Sequence, residues 1–320
     1  MSTEAQIPNI VFIFIDDLGW MDLGCQGSAY YETPHIDRLA SQGVRFTDAY
    51  AACTVCSPTR ASVMTGQYPA RLHLTDFIGG HHHPWAKLAV PDWTKHLSHE
   101  HATFASTFKE AGYNTFFVGK WHLGVEAYYP ETHGFDVNIG GCHRGQPPSY
   151  FSPYNIETMA DGPDNEYLTD RLTDETLRLI EKSRDEPFVM FLSHYAVHTP
   201  LQARAEVVEK YAHKDKQGQL NEIYAAMVES TDDCVGRIMA KLDELELSEN
   251  TMVVFFSDNG GLHKVTSNAP LLNTFADDQL IFKGGNLLDI QLAADPKADP
   301  ERETPAPGDV RLLVSRTQDG

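Results

Sequence analysis

Four short apolar runs punctuate a chain whose remaining positions mix polar and apolar residues: Asn9 to Ile15 (NIVFIFI), Thr115 to Val118 (TFFV), Pro187 to Ser193 (PFVMFLS) and Thr251 to Ser257 (TMVVFFS). Each is rich in β-branched or aromatic residues and free of internal charge, the pattern of strands buried on both faces. Between them lie segments of helical periodicity, Ile36 to Gln42, Phe104 to Ala111, Tyr167 to Lys182 and Asn221 to Leu245. In the last of these Ile223, Met227, Cys234, Ile238, Leu242 and Leu245 share one face, with charged residues opposite. Strand and helix alternate, so the pattern predicts an α/β fold: a mostly parallel sheet flanked by helices on both faces. The segments from Phe77 to His101 and from Tyr128 to Gly162 are rich in Gly, Pro, His and aromatic residues and read as long loops of the kind that build binding sites.

The residues just after each run carry more chemistry than the runs themselves. The first run ends in Asp16-Asp17, the second in Gly119-Lys120-Trp121-His122, the third in His194 and then His198-Thr199-Pro200, and the fourth in Asp258-Asn259-Gly260-Gly261. Taken singly, each ending has an ordinary explanation as a turn, a helix cap or a satisfied histidine. In an open parallel sheet, however, all four endings meet at the carboxyl edge, where ligands bind. Asp16, Asp17, Asp258 and Asn259 then form an all-oxygen set suited to a hard divalent cation, calcium more naturally than zinc. Arg60, Lys120, His122 and His198 add positive charge or donors around it, an arrangement fit to bind a tetrahedral oxyanion such as sulfate or phosphate.

Composition narrows the classes. The chain has 320 residues, with 25 Lys and Arg against 45 Asp and Glu for a net charge of -20, which argues against wholesale nucleic-acid binding. An anion can still be held if a bound cation reverses the local field. No run of eighteen apolar residues exists, so membrane insertion is not expected, and with the first strand predicted from Asn9 a cleavable leader is not expected either. Five irregularly spaced cysteines give no disulfide framework. The pair Cys53 and Cys56, in CTVCSPTRASVMTG, is open to a redox, a zinc, a thiolate-nucleophile or a plain buried reading. Pro58 fits a first helical turn and Gly66 a helix stop, which places residue 56 at a helix N-terminus, where an anion is favoured.

The run Cys56-Ser57-Pro58-Thr59-Arg60, followed by Thr65-Gly66, resembles the sulfatase signature C-x-[PA]-x-R, in which the cysteine is oxidised to formylglycine. The resemblance takes in Asp16-Asp17, Gly119-Lys120-Trp121-His122-Leu123-Gly124, the Tyr-Ala-Val-His-Thr-Pro run ending at Pro200, and Ser257-Asp258-Asn259-Gly260-Gly261, over roughly residues 8 to 271. It looks like the arylsulfatase-type branch of the alkaline phosphatase superfamily. GQYPARLHLTDFI and YLTDRLTDE are similar to stretches of bacterial sulfatases of sulfated polysaccharides. The resemblance implies an alkaline-phosphatase-like fold, a sulfated carbohydrate or aryl sulfate as substrate, a formylglycine-generating enzyme as partner, and action in the periplasm or outside the cell. Asp16, Asp17, Asp258 and Asn259 would hold Ca2+ with the modified Cys56. Arg60 would support residue 56, Lys120 would contact that residue and the sulfate, His122 would accept the second hydroxyl's proton, and His198 would assist the leaving alcohol. Cys53 would be structural.

Two loops are candidates for substrate contact: the histidine run containing His82, followed by Trp85 and Lys87, and His143-Arg144 in GGCHRG. The chain departs from the family pattern after Leu271, where a glycine-lysine-glycine segment carrying a second sulfate-binding lysine is expected. Lys283 and Lys264 are the replacements within reach. The expected organisation is an incomplete catalytic domain over residues 1–290 without the usual small C-terminal sheet domain, then a Pro- and Asp-rich tail over 291–320 of disordered composition. The competing readings are a phosphate or phosphonate ester hydrolase of the same superfamily and an impaired, truncated chain that only binds sulfated glycan.

Overall fold

A computed structural model of the chain describes residues 7–47, 49–80 and 91–269. The elements run β1 (Asn9–Ile15), α1 (Pro34–Gln42), α2 (Cys56–Thr65), α3 (Pro69–Leu72), α4 (Phe104–Glu110), β2 (Asn114–Gly119), β3 (Val137–Ile139), α5 (Leu168–Lys182), β4 (Phe188–Ser193), α6 (Ala205–Ala212), α7 (Glu222–Glu244) and β5 (Thr251–Ser257). The strands form one sheet in the order β3-β2-β4-β1-β5, and all four pairings are parallel. The four apolar runs are its four long strands.

The residues of β1 alternate between two covered faces. Phe12 and Phe14 point to one side together with Phe117 of β2, Phe191 of β4 and Phe256 of β5, with ring centroids 4.3 to 5.7 Å apart for Phe14–Phe256, Phe12–Phe191 and Phe117–Phe191. Phe104 of α4 closes on Phe12 and Phe191, and the Arg60 guanidinium of α2 lies 4.9 Å over the Phe14 ring. Aromatic rings thus supply the bulk of this face of the core, and burying such rings is among the largest favourable contributions a residue can make. The other face is covered by α5, which packs on β2 and β4, while α7 packs along α5, α6 and α1. Asp232 of α7 accepts the backbone N–H groups of His35 and Ile36 at 3.2 and 2.7 Å, so the first turn of α1 is capped from a helix nearly 200 residues away. The local N-cap, Thr33, makes no such bond because its hydroxyl is turned to Asp37.

Three elements escape the sequence pattern, among them the four-residue α3. The three-residue β3 lies inside the stretch read as loop, too short to show a period, and α6 carries only a brief amphipathic pattern. The helix expected from Cys56 is present: Val55 is its extended N-cap, Pro58 lies in its first turn, and Gly66 ends it in the left-handed region at φ 68°. All five cysteines are free, so the Cys53–Cys56 spacing is not a disulfide. His82, Trp85, Lys87, Lys283 and the tail lie outside the described residues. Among the described residues there is one sheet, and no helix is long and apolar enough to cross a membrane.

Candidate active site

The register of β1 against β5 builds the centre of the site. Ile15 pairs with Ser257, so the next residues, Asp16-Asp17 and Asp258-Asn259, leave the sheet side by side. The Asp17 backbone N–H donates to Asp258 Oδ1 at 3.1 Å, and the Asn259 amide donates to Asp17 Oδ1 at 2.6 Å. Asp17 adopts φ 58°, a left-handed conformation that aspartate tolerates better than most residues. Carboxylate oxygens of Asp16, Asp17 and Asp258 approach within 4.8 Å of one another in a buried pocket. Burial first, and the neighbouring Asp16 second, push the Asp258 carboxyl up to about 6.

Two oxygens there are buried without a hydrogen bond: Asp16 Oδ1, which has only an ion pair to Arg60 at 3.3 Å, and Asn259 Oδ1, which has no partner. Buried polar atoms are rarely left so, and an absent cation is a standard cause. An all-oxygen donor set of three carboxylates and an amide fits a hard divalent ion such as Ca2+. The pocket's donors therefore suit a divalent metal of the kind expected from the sequence, which these residues would hold.

Two buried cations balance the carboxylates. Lys120, immediately after β2, places Nζ 2.5 Å from Asp16 Oδ2. Arg60, one turn into α2, donates from Nε and Nη2 to Asp258 Oδ2 at 3.1 and 2.8 Å and lies 3.3 Å from Asp16 Oδ1. Its remaining Nη1 bonds the Lys120 carbonyl and Ser193 Oγ. For both cations burial alone would lower the pKa, but the aspartates outweigh it and hold the charged form. The structure thus puts Arg60 on the carboxylates and the strand ends, with no direct bond to residue 56. Gly119 permits the junction: at φ 105°, any Cβ there would stand 1.8 Å from the Ser193 carbonyl oxygen.

Cys56 opens α2 beside this cluster, with Sγ 3.4 Å from His122 Nδ1. His122 Nε2 lies 2.9 Å from the Ile78 carbonyl, which can only accept, so Nε2 carries the proton and Nδ1 turns a lone pair toward residue 56. Burial, then the charge of Lys120, hold His122 well below its ordinary pKa, so it is neutral with its Nδ1 lone pair free. Burial pushes the Cys56 thiol up to about 12, which argues against a thiolate nucleophile at this position. Ser57 Oγ ties the turn to the His122 carbonyl and accepts from the Ile78 N–H. Cys53 is held through its backbone by Thr59 Oγ1, in keeping with a structural place.

His198 approaches from the loop after β4. Its Nδ1 donates to the Thr199 carbonyl at 2.8 Å, and Nε2 faces Asp17 Oδ2 at 3.7 Å. Tyr150 fixes this loop by donating to the carbonyls of Tyr195 and His198. His143 and Arg144 lie on the neighbouring wall and share Glu157. They immediately precede Gly145, where an added Cβ would stand 2.6 Å from His122 Cε1 and 2.9 Å from Nε2. Gly145→Ala is therefore expected to lower unfolding free energy by about 1–3 kcal/mol through overpacking against a ring already fixed by Ile78. Equilibrium denaturation checks this, and unchanged stability would show that the wall yields without strain.

Several supporting residues carry no sequence signature. Ser193 links Arg60 to the Lys120 carbonyl. Asp22, fully buried, accepts from Gly19 N–H, from the hydroxyl of Tyr224 and from Thr266, and Tyr224 also bonds the Asp17 carbonyl. Only the position of Ser193, last in an apolar run, hinted at such a role. Lys264 stands exposed on the turn after β5 and is not tied to the buried carboxylates.

A parallel α/β sheet whose central strands end in a buried oxygen pocket, with a cysteine-headed helix beside it, defines an alkaline-phosphatase-like protein. The Sulfatase family model matches residues 8–291, and the chain belongs to the sulfatase family. It is 33% identical over 307 residues to N-acetylgalactosamine-6-sulfatase of Mus musculus, covering 88% of this chain and 56% of the relative. It is 29% identical over 366 residues to steryl-sulfatase of Homo sapiens, covering 89% and 60%. The solved structure of Ps i-CgsB superposes with a TM-score of 0.70 at 32% identity, over 83% of this chain and 62% of that one, and a related structure holds k-i-k-neocarrahexaose. A phosphonate monoester hydrolase of Agrobacterium radiobacter, 18% identical with a TM-score of 0.56, shares the fold alone. The chain spans little more than half the length of these curated relatives.

Proposed function

We propose that the chain hydrolyses a sulfate ester of a carbohydrate, using a formylglycine made from Cys56 next to Ca2+ held by Asp16, Asp17, Asp258 and Asn259. The observation that carries this reading is the meeting of residue 56, at a helix N-terminus, with a neutral His122 lone pair and a carboxylate pocket in which the buried Asn259 Oδ1 has no partner. Cys56 Sγ stands where a hydroxyl oxygen of the hydrated aldehyde would stand. Once formed and bound, the hydrated aldehyde would supply the attacking hydroxyl and Ca2+ would supply Lewis-acid polarisation of the sulfate. His122 takes the proton of the second hydroxyl at Nδ1, with Nε2 anchored on Ile78. Lys120 and Arg60 offset the charge of the carboxylates and add positive potential for the sulfate oxygens. His198, with Nε2 directed into the pocket, serves the leaving alcohol. His143 and Arg144 contact the sugar. A formylglycine-generating enzyme is the partner that activates the chain. Sulfated glycan is favoured as substrate because the relatives named above include an N-acetylgalactosamine-6-sulfatase and a structure in complex with k-i-k-neocarrahexaose.

Coexpression with a formylglycine-generating enzyme should remove about 18 Da from the peptide containing Cys56, the loss for conversion of thiol to aldehyde. The converted protein should then release sulfate from a sulfated saccharide in the presence of calcium. A thiol left intact while a control sulfatase is converted, or a converted protein releasing no sulfate, would sink the reading.

A further inference from the structure

The wall beside His122 holds a polar group that the reaction leaves unused. Glu157 receives Arg144 Nε on Oε2 at 2.9 Å and His143 Nδ1 on Oε1 at 2.7 Å, and the Tyr129 hydroxyl donates to the same Oε1 at 3.2 Å. Burial opposes ionisation of Glu157, but its own backbone N–H and Arg144 outweigh burial and keep the carboxyl below its usual range. Three neighbours therefore hold one ionised carboxylate in a fixed orientation, and that carboxylate grips Arg144 by Nε alone.

Among the described residues, Nη1 and Nη2 of Arg144 have no protein acceptor, although the side chain is only 38% exposed. A guanidinium anchored at Nε presents its two terminal amino groups as a planar fork, matched to two oxygens of one oxyanion. The neighbouring Gly145 abuts the His122 ring, so Arg144 stands one residue removed from the wall of the catalytic histidine.

We propose that Arg144, oriented by Glu157, reads a second oxyanion on the substrate, so that this site selects saccharides bearing an additional sulfate or carboxylate beyond the ester that is cleaved. This rests on the sulfatase reading above and adds the substrate class to it. Glu157 is a positioning residue: it touches no substrate, but without it Arg144 becomes a freely rotating surface side chain, and ordering it on binding costs entropy. Its ion pair also tempers the local charge, so that selection depends on the fork's geometry more than on net attraction.

The test is calorimetric binding, with calcium present, of two matched disaccharides, one carrying a single sulfate and the other a second sulfate on the adjoining sugar. The preference for the doubly sulfated sugar should fall about tenfold in Arg144→Ala, the scale of one charge-assisted hydrogen-bonding group. Glu157→Ala should lower the same ratio by about threefold or more, and Glu157→Gln, which keeps an oxygen for Nε, should return most of it. A ratio unaltered by Arg144→Ala, with both sugars still bound, would overturn the inference and leave the sulfatase reading standing. A ratio sensitive to Arg144 yet indifferent to Glu157 would remove the positioning role. Failure of either sugar to bind would overturn both.

Discussion

Arg60→Met should destabilise the calcium-free chain by about 3–5 kcal/mol, the cost of removing one partner from a buried ion-pair network. Methionine preserves the aliphatic stem over Phe14 but removes both side-chain donors to Asp258 Oδ2 and one neighbour of Asp16, both aspartates being fully buried. Lys120 remains on Asp16, so Asp258 bears most of the loss. The same substitution frees the Lys120 carbonyl and Ser193 from their shared donor, loosening the junction of β2 and β4. Denaturant titration in chelator and in calcium separates the electrostatic part from the packing part: a bound cation should recover a substantial fraction of the deficit. A loss below about 1 kcal/mol in chelator would mean that the guanidinium is not what balances the pocket.

Calcium itself should stabilise the chain by about 3–4 kcal/mol at 100 to 1,000 times its dissociation constant, by mass action on the folded state. Asp17→Asn should abolish most of that gain. This substitution tests the pocket cleanly, because asparagine tolerates the φ of 58° at this position and its amide oxygen can still accept from Asn259. The metal-free variant should be no less stable than the parent, since one of three crowded carboxylates is gone. Thermal unfolding with and without calcium reads the difference directly, with shifts of several degrees expected for a chain of this size. Equal stabilisation of parent and variant would place the cation elsewhere.

How much of this was legible before the structure depends on whether the signal was local. The four long strands were visible because a strand covered on both faces must be apolar throughout, and β1 and β5 begin and end where the pattern places them. Their endings were legible for the same reason: a charged pair that breaks an apolar run has few structural uses. The three-residue β3 and the short α6 had too few positions to reveal a period. Arg60 was readable as a site residue but not as the clamp on Asp258, since that bond joins positions 198 apart in the sequence. Glu157, Gly145, Asp22 and Tyr224 were silent altogether. Each acts by what folding brings against it: a ring edge, a guanidinium, a backbone carbonyl. The proximity of His143 and Arg144 to His122, by contrast, stems from a loop whose composition had already marked it.

The parallel ladder between β1 and β5 has a consequence for how the chain can be re-engineered. Seven paired positions, from Asn9 with Thr251 to Ile15 with Ser257, act as a caliper that fixes Asp16-Asp17 opposite Asp258-Asn259. The surface loops and outer helices joining these two strands could be lengthened, shortened or rejoined in another order without altering that setting, provided both strands still enter the sheet. A single inserted or deleted residue inside either strand would instead exchange the facing of the two residues at that strand's end and put them out of register with the other pair, because side chains alternate with a period of two. Permutation, domain insertion and library design can therefore work freely on the surface loops, while the two strands and the pairs at their ends form a gauge that permits substitution at some positions but no change in length.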